Sequence, residues 1–432
     1  MTNKTDVIVV GAGPAGISAA ITLAKAGKSV ILIERGAFAG AKNVFGGAIY
    51  TQPTKEIFPD FEYEAPLERK IITHKYFLRN DSQELGVEYF NDIHDNAYTV
   101  IRGKFDRYMQ KKAEEAGVVF VNETLVEDLI YDGKFVVGVK TELENYYSSI
   151  VILADGVNSL LAKQAGLRKE IRKQDVVLSV KEVIKIGEDK INERFNLTSG
   201  EGSAYEIFGE PMNGFFGAGF LYTNKDSVSI GVGVSLEDLA ELKIRPYELL
   251  DKLKNHPRFV NLLKDGELIE YSAHLIPEGG YKRIPKLASN GVMIVGDAAM
   301  LVNNIHFEGT NMALISGKLA AETAVEALNK HDFSEKTLSL YKKKLQNSFI
   351  IKDLRTYRGV TPTIIKHRRE FLDYYLSKVL EFFNIFTTVD SKPRRQKYQA
   401  YIKSFFTDRC PCKFFHEMFS LIKMVLGVLC GK

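Results

Sequence analysis

The first 34 residues constrain the fold of this chain more than any other segment. The β-branched run Asp6–Val10 predicts a buried parallel strand, and the turn Gly11-Ala12-Gly13-Pro14-Ala15-Gly16 follows it directly. Ile17–Ala26 has the pattern of a helix, and Ser29–Ile33 predicts a second strand that ends at Glu34. This order of strand, glycine turn, helix, strand and acidic residue is the dinucleotide-binding fingerprint, and it predicts a Rossmann-like α/β sheet.

Each glycine of this turn has a physical role in holding a dinucleotide. Gly11 makes the tight turn, Gly13 lets a pyrophosphate approach the backbone, and Gly16 lets helix and strand pack closely. The free N–H groups at the helix N-terminus face the phosphates. Glu34 is expected to accept hydrogen bonds from the adenosine ribose, and its charge disfavours the 2′-phosphate of NADP. The remaining contacts predicted for this part of the cofactor come from Pro14, Ala15 and Arg35.

A second element, 280 residues further along the chain, favours FAD over NAD. The apolar run Gly291–Val295 ends in Gly296-Asp297, and a helix is predicted over Gly309–Glu326. The ribityl chain of FAD has hydroxyl groups that need an acceptor, which Asp297 provides, whereas NAD has no need of such a distant element. Two further elements lie between these in the sequence: Arg102 at a helix start, and Asp155-Gly156 after the strand predicted at Ile150–Ala154.

The helix that begins at Gly309 predicts how the protein would tune a flavin. Its positive end favours the negative charge that develops at flavin N1 on reduction, and Asn311 adds an amide donor there. His306 is either a proton donor near N1 or a loop histidine whose ring is satisfied by the backbone. Beyond these two candidates the sequence assigns no catalytic residue.

Together these elements resemble the FAD-dependent group that includes p-hydroxybenzoate hydroxylase and geranylgeranyl reductase. Within that group the sequence is similar to the FixC branch of the electron-transfer-flavoprotein:quinone oxidoreductases. The segments that carry the resemblance are Gly36–Tyr50, Ile152–Ser159, Gly219–Asn224, Glu270–Glu278, Gly296–Met300 and Ser316–Glu322. The resemblance implies that the backbone around Lys42, Asn43, Gly46 and Gly47 passes beside the isoalloxazine ring.

The resemblance and the strand patterns together predict three parts. A discontinuous FAD-binding domain of the p-hydroxybenzoate hydroxylase type covers residues 1–75, 100–178 and 285–335. An inserted antiparallel-sheet domain for the substrate covers 76–99 and 179–284, where Val177–Ile186 and Ser227–Val234 alternate apolar and polar residues. A helical region, with a basic amphipathic tail, covers 336–432.

The inserted domain contains several aromatic residues that allow two interpretations. They either pack in the core of the sheet or line an apolar pocket large enough for a quinone, and the sequence does not separate these alternatives. The residues concerned are Tyr205, Phe208, Phe215, Phe216, Phe220 and Tyr222.

The number of cysteines limits whether this chain can hold an iron–sulfur cluster by itself. Its 3 cysteines cannot hold a [4Fe–4S] cluster by themselves, and no metal site is predicted. Cys410 and Cys412 are interpreted as incidental thiols near a turn. By the resemblance, a small ferredoxin-like subunit supplies the iron–sulfur centre, and electron-transfer flavoprotein subunits supply the electrons.

The last 42 residues are basic, in contrast to the rest of the chain. They carry nine Lys or Arg against two Asp or Glu, a charge of +7, whereas the whole chain carries +4 and the first 390 residues therefore carry −3. This confinement to a tail gives no reason to expect nucleic-acid binding. An amphipathic helix is predicted from Phe414 to Leu429, and it either packs in the core, anchors the chain at a membrane surface or docks a partner.

The sequence therefore predicts an FAD-dependent oxidoreductase that passes electrons from an electron-transfer flavoprotein to menaquinone or ubiquinone. It would act as a subunit of a larger complex, with or without electron bifurcation, at the cytoplasmic face of a membrane. Three alternatives stay open at this point: a prenyl reductase, an NAD(P)H-dependent aromatic hydroxylase and a non-catalytic flavoprotein tether. The absence of tryptophan and the segment Gly219–Asn224 count against the prenyl reductase.

Overall fold

The structure is a computed structural model that describes residues 4–42, 45–212, 214–407 and 409–430. The predicted flavin contact Asn43 lies outside the described residues. The strands are β1 (Lys4–Val10), β2 (Val30–Ile33), β3 (Ala48–Tyr50), β4 (Leu67–Arg79), β5 (Glu84–Phe90), β6 (Ala97–Val100), β7 (Val119–Val121), β8 (Val126–Asp132), β9 (Phe135–Thr141), β10 (Asn145–Leu153), β11 (Val176–Lys185), β12 (Glu201–Gly209), β13 (Gly217–Thr223), β14 (Ser227–Ser235), β15 (Glu267–Pro277), β16 (Ala288–Ser289) and β17 (Val292–Ile294).

The helices are α1 (Pro14–Lys25), α2 (Thr51–Lys55), α3 (Phe61–Glu64), α4 (Arg102–Glu115), α5 (Leu160–Gln164), α6 (Glu188–Phe195), α7 (Leu236–Leu242), α8 (Pro246–Asn255), α9 (Pro257–Leu263), α10 (Thr310–Lys330), α11 (Glu335–Leu338), α12 (Leu340–Asn347), α13 (Phe349–Thr356), α14 (Val360–Lys366), α15 (Tyr375–Thr387), α16 (Arg394–Thr407) and α17 (Pro411–Cys430).

The first sheet carries the fingerprint and has the predicted parallel core. Its strands lie in the order β16, β17, β10, β1, β2, β7, and the pairs from β17 to β7 are all parallel. The hairpin of β8 and β9 adds to β10 in antiparallel fashion. Because parallel strands are covered on both faces, β1 and β10 are apolar where Val7–Val10 pairs with Ile150–Leu153. The turns after β1, β10 and β17 therefore meet at one edge of the sheet.

Helices α1 and α10 pack on this sheet at unusually short range. A Cβ added at Gly317 of α10 would lie 2.0 Å from the Ala15 carbonyl oxygen of α1. The Ser18 hydroxyl also donates to the Leu314 carbonyl at 2.6 Å. Small residues on both helices thus bring the helix that follows the fingerprint against the helix that begins at Thr310.

The second sheet is the predicted sheet of the inserted domain, and it differs from the prediction in that one pair of strands is parallel. Its order is β15, β11, β14, β13, β12, β4, β6, β3, with β5 beside β4. Every pair is antiparallel except β12 with β4, which run parallel. The parallel pair arises because β4 comes from a distant, earlier segment and enters the sheet from the same end as β12. The domain boundaries given above stay a prediction.

Helices α6 to α9 cover one face of the second sheet and form a second apolar core. Ile207 of β12 and Ile230 of β14 are fully buried against these helices, together with Leu250 of α8 and Phe259 of α9. The opposite face of the same sheet is turned toward the edge of the first sheet where β1, β10 and β17 end. The cavity described below lies between them.

The C-terminal region is helical, as predicted, but its last helix is not part of a core. Glu417 is the one buried residue among those described in α17, whereas Ile422, Leu426 and Leu429 are exposed. Helix α17 lies against α14 and α16. Among the residues that the structure describes, no helix combines the length and the apolar character needed to cross a membrane.

Candidate functional site

One cavity of about 820 Å³ joins the two sheets. Its walls come from the fingerprint turn, the ends of β2, β10 and β17, the loop before α10, and the inner face of the second sheet. A volume of this size lies within the range of small-molecule and cofactor sites. The predicted cofactor contacts that line it are Gly11, Gly13, Pro14, Ala15, Glu34, Arg35, Lys42, Gly46, Gly47, Arg102, Asp155, Gly156, Asp297 and Gly309.

The fingerprint turn forms an open cradle at one end of the cavity. Gly11 has a φ of +97°, and a Cβ there would lie 2.4 Å from the Ala154 carbonyl oxygen, so no other residue fits. A Cβ at Gly13 would meet no atom within 4 Å, which leaves space above the turn. Helix α1 begins at this point without a side-chain cap, so its first N–H groups are available to an anion.

Gly16 lies outside the cavity wall and has a packing role. A Cβ at this position would lie 1.9 Å from the Gly11 carbonyl oxygen and 3.1 Å from the Ala154 side chain. The helix can therefore approach the turn only because residue 16 is glycine. This is the close packing that the fingerprint predicts for its third glycine.

The Glu34 carboxylate helps to shape the turn as well as to line the cavity. One of its oxygens accepts the Ala12 N–H at 2.9 Å and the other accepts the Gly36 N–H at 2.7 Å. A carboxylate offers about four acceptor positions, so both oxygens retain the capacity to accept from a ribose hydroxyl.

Arg102 is held in place by a buried carboxylate. Its guanidinium donates to both oxygens of Asp106, at 2.8 and 2.9 Å, and also donates to the Phe45 carbonyl. The bidentate pair fixes the plane of the guanidinium. Arg102 therefore ties α4 to the glycine segment that contains Gly46 and Gly47.

Two aspartates mark the ends of β10 and β17. The Asp155 carboxylate accepts from the Ser159 hydroxyl at 2.7 Å, and burial raises the pKa of Asp155. Asp297 has its carboxylate 3.9 Å from the His274 ring nitrogen. Gly296 lies outside the wall, where its Cβ position faces Ala15 of α1 at 2.9 Å and its N–H donates to Ser316.

Three predicted residues surround the start of α10. Gly309 precedes the helix and lines the cavity, and the helix has no side-chain cap. Asn311 is buried outside the wall and donates to Glu308 at 3.4 Å, with its Oδ1 lacking a partner within the described residues. His306 lines the cavity, and its ring is bonded to the Tyr357 hydroxyl at 2.7 Å instead of to the backbone. The flavin-tuning roles of Asn311 and His306 stay predictions.

Some of the aromatic residues of the second sheet pack in its core, and the others line the cavity. Tyr205 is buried in the second core and Phe215 packs against it. Phe208, Phe216, Phe220 and Tyr222 line the cavity instead. For Tyr205, Phe208, Phe220 and Tyr222 the division follows from the alternation of side chains along a strand, whereas Phe215 and Phe216 lie just before β13.

Gly47 brings this aromatic wall against the predicted flavin segment. A Cβ at Gly47 would lie 2.8 Å from the Tyr222 ring, and Phe45 meets Phe220 edge to face at 5.5 Å. Phe220 stacks on Tyr222 at 5.2 Å. Phe45 and Gly47 are thus in direct contact with β13 of the second sheet.

The sequence reasoning missed five titratable groups of the cavity wall: Tyr50, His74, Glu206, His274 and Glu278. Burial raises the pKa of Glu206 to about 7 and that of Glu278 to about 8, and it lowers the pKa of His74. In a strand that alternates apolar and polar residues, a single sequence does not distinguish a glutamate that faces a cavity from one that faces solvent. Only the strand pairing shows that this face is covered.

Comparison with known families and proteins identifies both halves of this cavity. Residues 4–192 match the FAD binding domain family, and residues 177–276 match the family described as ETF-QO, ubiquinone-binding. Protein FixC of Bradyrhizobium diazoefficiens is 41% identical over 94% of this chain and 95% of its own length. The chain belongs to the FixC family.

Other relatives support this assignment. Protein FixC of Azotobacter vinelandii is 43% identical, over 94% of this chain and 95% of that protein. An Escherichia coli protein named "Probable electron transfer flavoprotein-quinone oxidoreductase YdiS" is 38% identical, over 91% of this chain and 92% of that protein. This FixC-family chain is therefore an FAD-dependent oxidoreductase with a ubiquinone-binding domain, and the predicted family is confirmed.

Solved structures confirm the predicted fold class. A geranylgeranyl bacteriochlorophyll reductase-like protein from Thermoplasma acidophilum has a TM-score of 0.72 at 22% identity, covering 88% of this chain and 91% of that one. The flavin-dependent brominase Bmp2 has a TM-score of 0.65 at 18% identity, covering 94% of this chain and all of that one. At these identities the likeness concerns the fold alone.

The residues present fit FAD. The open space above Gly13 and the uncapped start of α1 suit a pyrophosphate, and the Glu34 carboxylate lies beside them. Asp297 at the end of β17 and the uncapped start of α10 suit the ribityl chain and the ring. The positive ends of both helices face the same cavity, which favours a cofactor with negative charge at two places.

Proposed function

We propose that this chain passes electrons from an electron-transfer flavoprotein through FAD to a membrane quinone, as a subunit of a larger complex. One observation carries the proposal: the cradle of the FAD-binding domain and the aromatic wall of the ubiquinone-binding domain border the same cavity. Bound FAD would supply the redox chemistry, accepting electrons from one partner and releasing them to another.

The residues of the chain would bind and position the reactants. Gly13 and the start of α1 would hold the pyrophosphate, Glu34 the ribose, and Asp297 the ribityl hydroxyls. Phe208, Phe216, Phe220 and Tyr222 would exclude water and pack against a flat quinone ring, since apolar pockets with few polar groups suit such ligands.

The number of cysteines supports the proposal that a separate subunit holds the iron–sulfur centre. Cys410, Cys412 and Cys430 are all exposed and are the three cysteines of the chain, one short of a Cys₄ cluster. We therefore expect a small ferredoxin-like protein to join the complex. Whether that complex bifurcates electrons stays a prediction for reconstitution.

The C-terminal helices supply a candidate membrane surface on the cytoplasmic side. Its exposed apolar side chains are Phe383 and Phe386 on α15, Ile402 and Phe406 on α16, and Phe415, Phe419, Ile422, Leu426 and Leu429 on α17. Exposed basic residues lie among them: Arg394, Arg395, Lys403, Lys413 and Lys423. Apolar insertion and about 1 kcal/mol per basic residue near anionic lipid would act together.

Anaerobic reduction of the FAD-loaded protein tests the main proposal. Reduced electron-transfer flavoprotein should bleach the flavin absorbance, and ubiquinone-1 should then restore it. A flavin that NADPH reduces and the flavoprotein does not would favour a hydroxylase or prenyl reductase. A flavin that stays oxidised with every donor would favour a tether without catalysis.

Deleting the chain from Pro411 onward tests the tail. A folded, FAD-loaded truncated protein should no longer sediment with phosphatidylglycerol liposomes, while the full chain does. If the truncated protein still sediments, α17 is not the anchor. Loss of binding to the ferredoxin-like subunit, with lipid binding retained, would assign α17 to docking.

A further inference from the structure

Glu206 places a carboxyl group with one unpartnered oxygen in the wall of the cavity. It lies in β12, where its register partners are Tyr76 on β4 and Phe220 on β13. Its Oε2 atom is buried and forms no hydrogen bond with any residue that the structure describes. A buried polar atom without a partner is costly, so a carboxyl retained at this position calls for a reason other than packing.

The groups around Glu206 are phenols and not cations. Tyr50 of β3, Tyr76 of β4 and Tyr222 of β13 interact with it electrostatically, and burial raises the pKa of each. Glu308 interacts electrostatically with Tyr50, and burial raises the pKa of Glu308 as well. His74 of β4 lines the same wall, and its pKa is lowered by burial and by His94. The surroundings therefore favour a protonated carboxyl group near neutral pH.

Reduction of the proposed acceptor, a quinone, requires a proton donor such as a protonated carboxyl group. Reduction of a quinone to a quinol consumes two electrons and two protons. Under the proposed function the reduced flavin supplies the electrons, but an apolar cavity offers few proton sources. A positioned acid with a pKa near the working pH is the efficient solution.

We propose that Glu206 is the proton donor to a quinone carbonyl oxygen in this cavity, an inference that rests on the proposed function. In each transfer the O–H bond of the carboxyl breaks and an O–H bond forms on the quinone oxygen. The carboxylate left behind takes up a proton from water before it gives the second. Tyr76 is the register partner of Glu206 on β4 and is 43% exposed, so solvent lies next to this part of the sheet.

Stopped-flow reoxidation of the reduced flavin tests this role in three proteins: the wild type, Glu206→Gln and Glu206→Asp. With ubiquinone-1, Glu206→Gln should be slower by about 100-fold or more, and Glu206→Asp should recover most of that loss. With ferricenium, which accepts an electron and no proton, all three should agree within about twofold. The matched control is Glu88→Gln, because Glu88 lies on β5 of the same sheet but outside the cavity wall.

The outcomes separate this inference from the proposed function. If ubiquinone-1 fails to oxidise the wild type, the proposed function is wrong. If it oxidises the wild type and Glu206→Gln equally fast, only the role of Glu206 is wrong. If Glu206→Gln is equally slow with both acceptors, the substitution disturbs the flavin, and proton donation by Glu206 is refuted.

Two readouts report on the Glu206 proton directly. The reoxidation rate of the wild type should fall as pH rises through about 7, where Glu206 loses its proton, and Glu206→Gln should lack that step. Infrared difference spectra of the oxidised protein, without quinone, should show a carboxylic C=O band that titrates over the same range and is missing only in Glu206→Gln. A band that titrates at the ordinary pKa of glutamate would overturn the proposal.

Discussion

Replacing Gly13 with valine tests whether the turn after β1 holds a pyrophosphate or only shapes the fold. Gly13 has a φ of −74°, which any residue adopts, and a Cβ there meets no protein atom within 4 Å. The apoprotein should therefore tolerate the side chain. Valine is a poor N-cap, so we expect a loss of about 1 kcal/mol, which corresponds to a few degrees in Tm.

The same substitution should remove FAD, because the side chain fills the space left for the phosphates. If two charge-assisted hydrogen bonds to the pyrophosphate are lost, at about 1.5–3 kcal/mol each, binding weakens by about 3–6 kcal/mol. That corresponds to a Kd raised by about 100-fold to 10⁴-fold. The measurement is calorimetric titration of FAD into the apoprotein, beside its thermal unfolding without FAD.

A matched control separates ligand loss from misfolding. Gly103, near the start of α4, also has an open Cβ position and lies outside the cavity wall. Gly103→Val should keep wild-type FAD affinity. A folded Gly13→Val protein with full yellow occupancy would refute the placement of the pyrophosphate, and an apoprotein that cannot fold would show that Gly13 is structural.

Three further predictions concern residues in the cavity wall or next to it. Gly16→Ala should leave little folded protein even without FAD, because its Cβ would lie 1.9 Å from a carbonyl oxygen; soluble apoprotein with a normal Tm would contradict this. Asn311→Ala should lower the flavin potential by several tens of millivolts, as expected for one lost donor, and unchanged potentials in spectroelectrochemical titration would contradict it. Burial raises the pKa of Glu278 to about 8, so between about pH 4.5 and 8 the folded state binds more protons than the unfolded state. The free energy of unfolding of the apoprotein should therefore fall as pH rises over this range. Glu278→Gln should flatten that dependence in urea titrations, and an unchanged slope would contradict the prediction.

The local pattern was enough to predict the start of the first sheet, from β1 through α1 to β2. Gly11, Gly16 and Glu34 each perform a task that depends on neighbours within about thirty residues, so the signal is contained in one short segment. Strand β17 lies far along the chain, yet it was predicted because the apolar run Gly291–Val295 ends in Gly296-Asp297. Its pairing with β10 is a long-range contact that the sequence analysis did not predict.

The inner face of the second sheet was beyond sequence reasoning for a physical reason. Alternation shows that Tyr205 and Glu206 point to opposite faces but does not show which face is covered. The core side is set by α6 to α9, and the cavity side by Gly47 and the end of the first sheet. Both depend on contacts between segments far apart in sequence. The parallel pairing of β12 with β4 has the same origin.

The two sheets therefore contribute different chemical groups to the cavity wall. The first sheet ends in turns and uncapped helices, which present N–H groups and suit the charged parts of a cofactor. The second sheet presents aromatic rings, phenols and one carboxyl without a partner, which suit an apolar substrate that takes up protons. On the second sheet, burial raises the pKa of Glu206 to about 7, so under the proposed mechanism its carboxyl group carries a proton when a quinone enters the cavity.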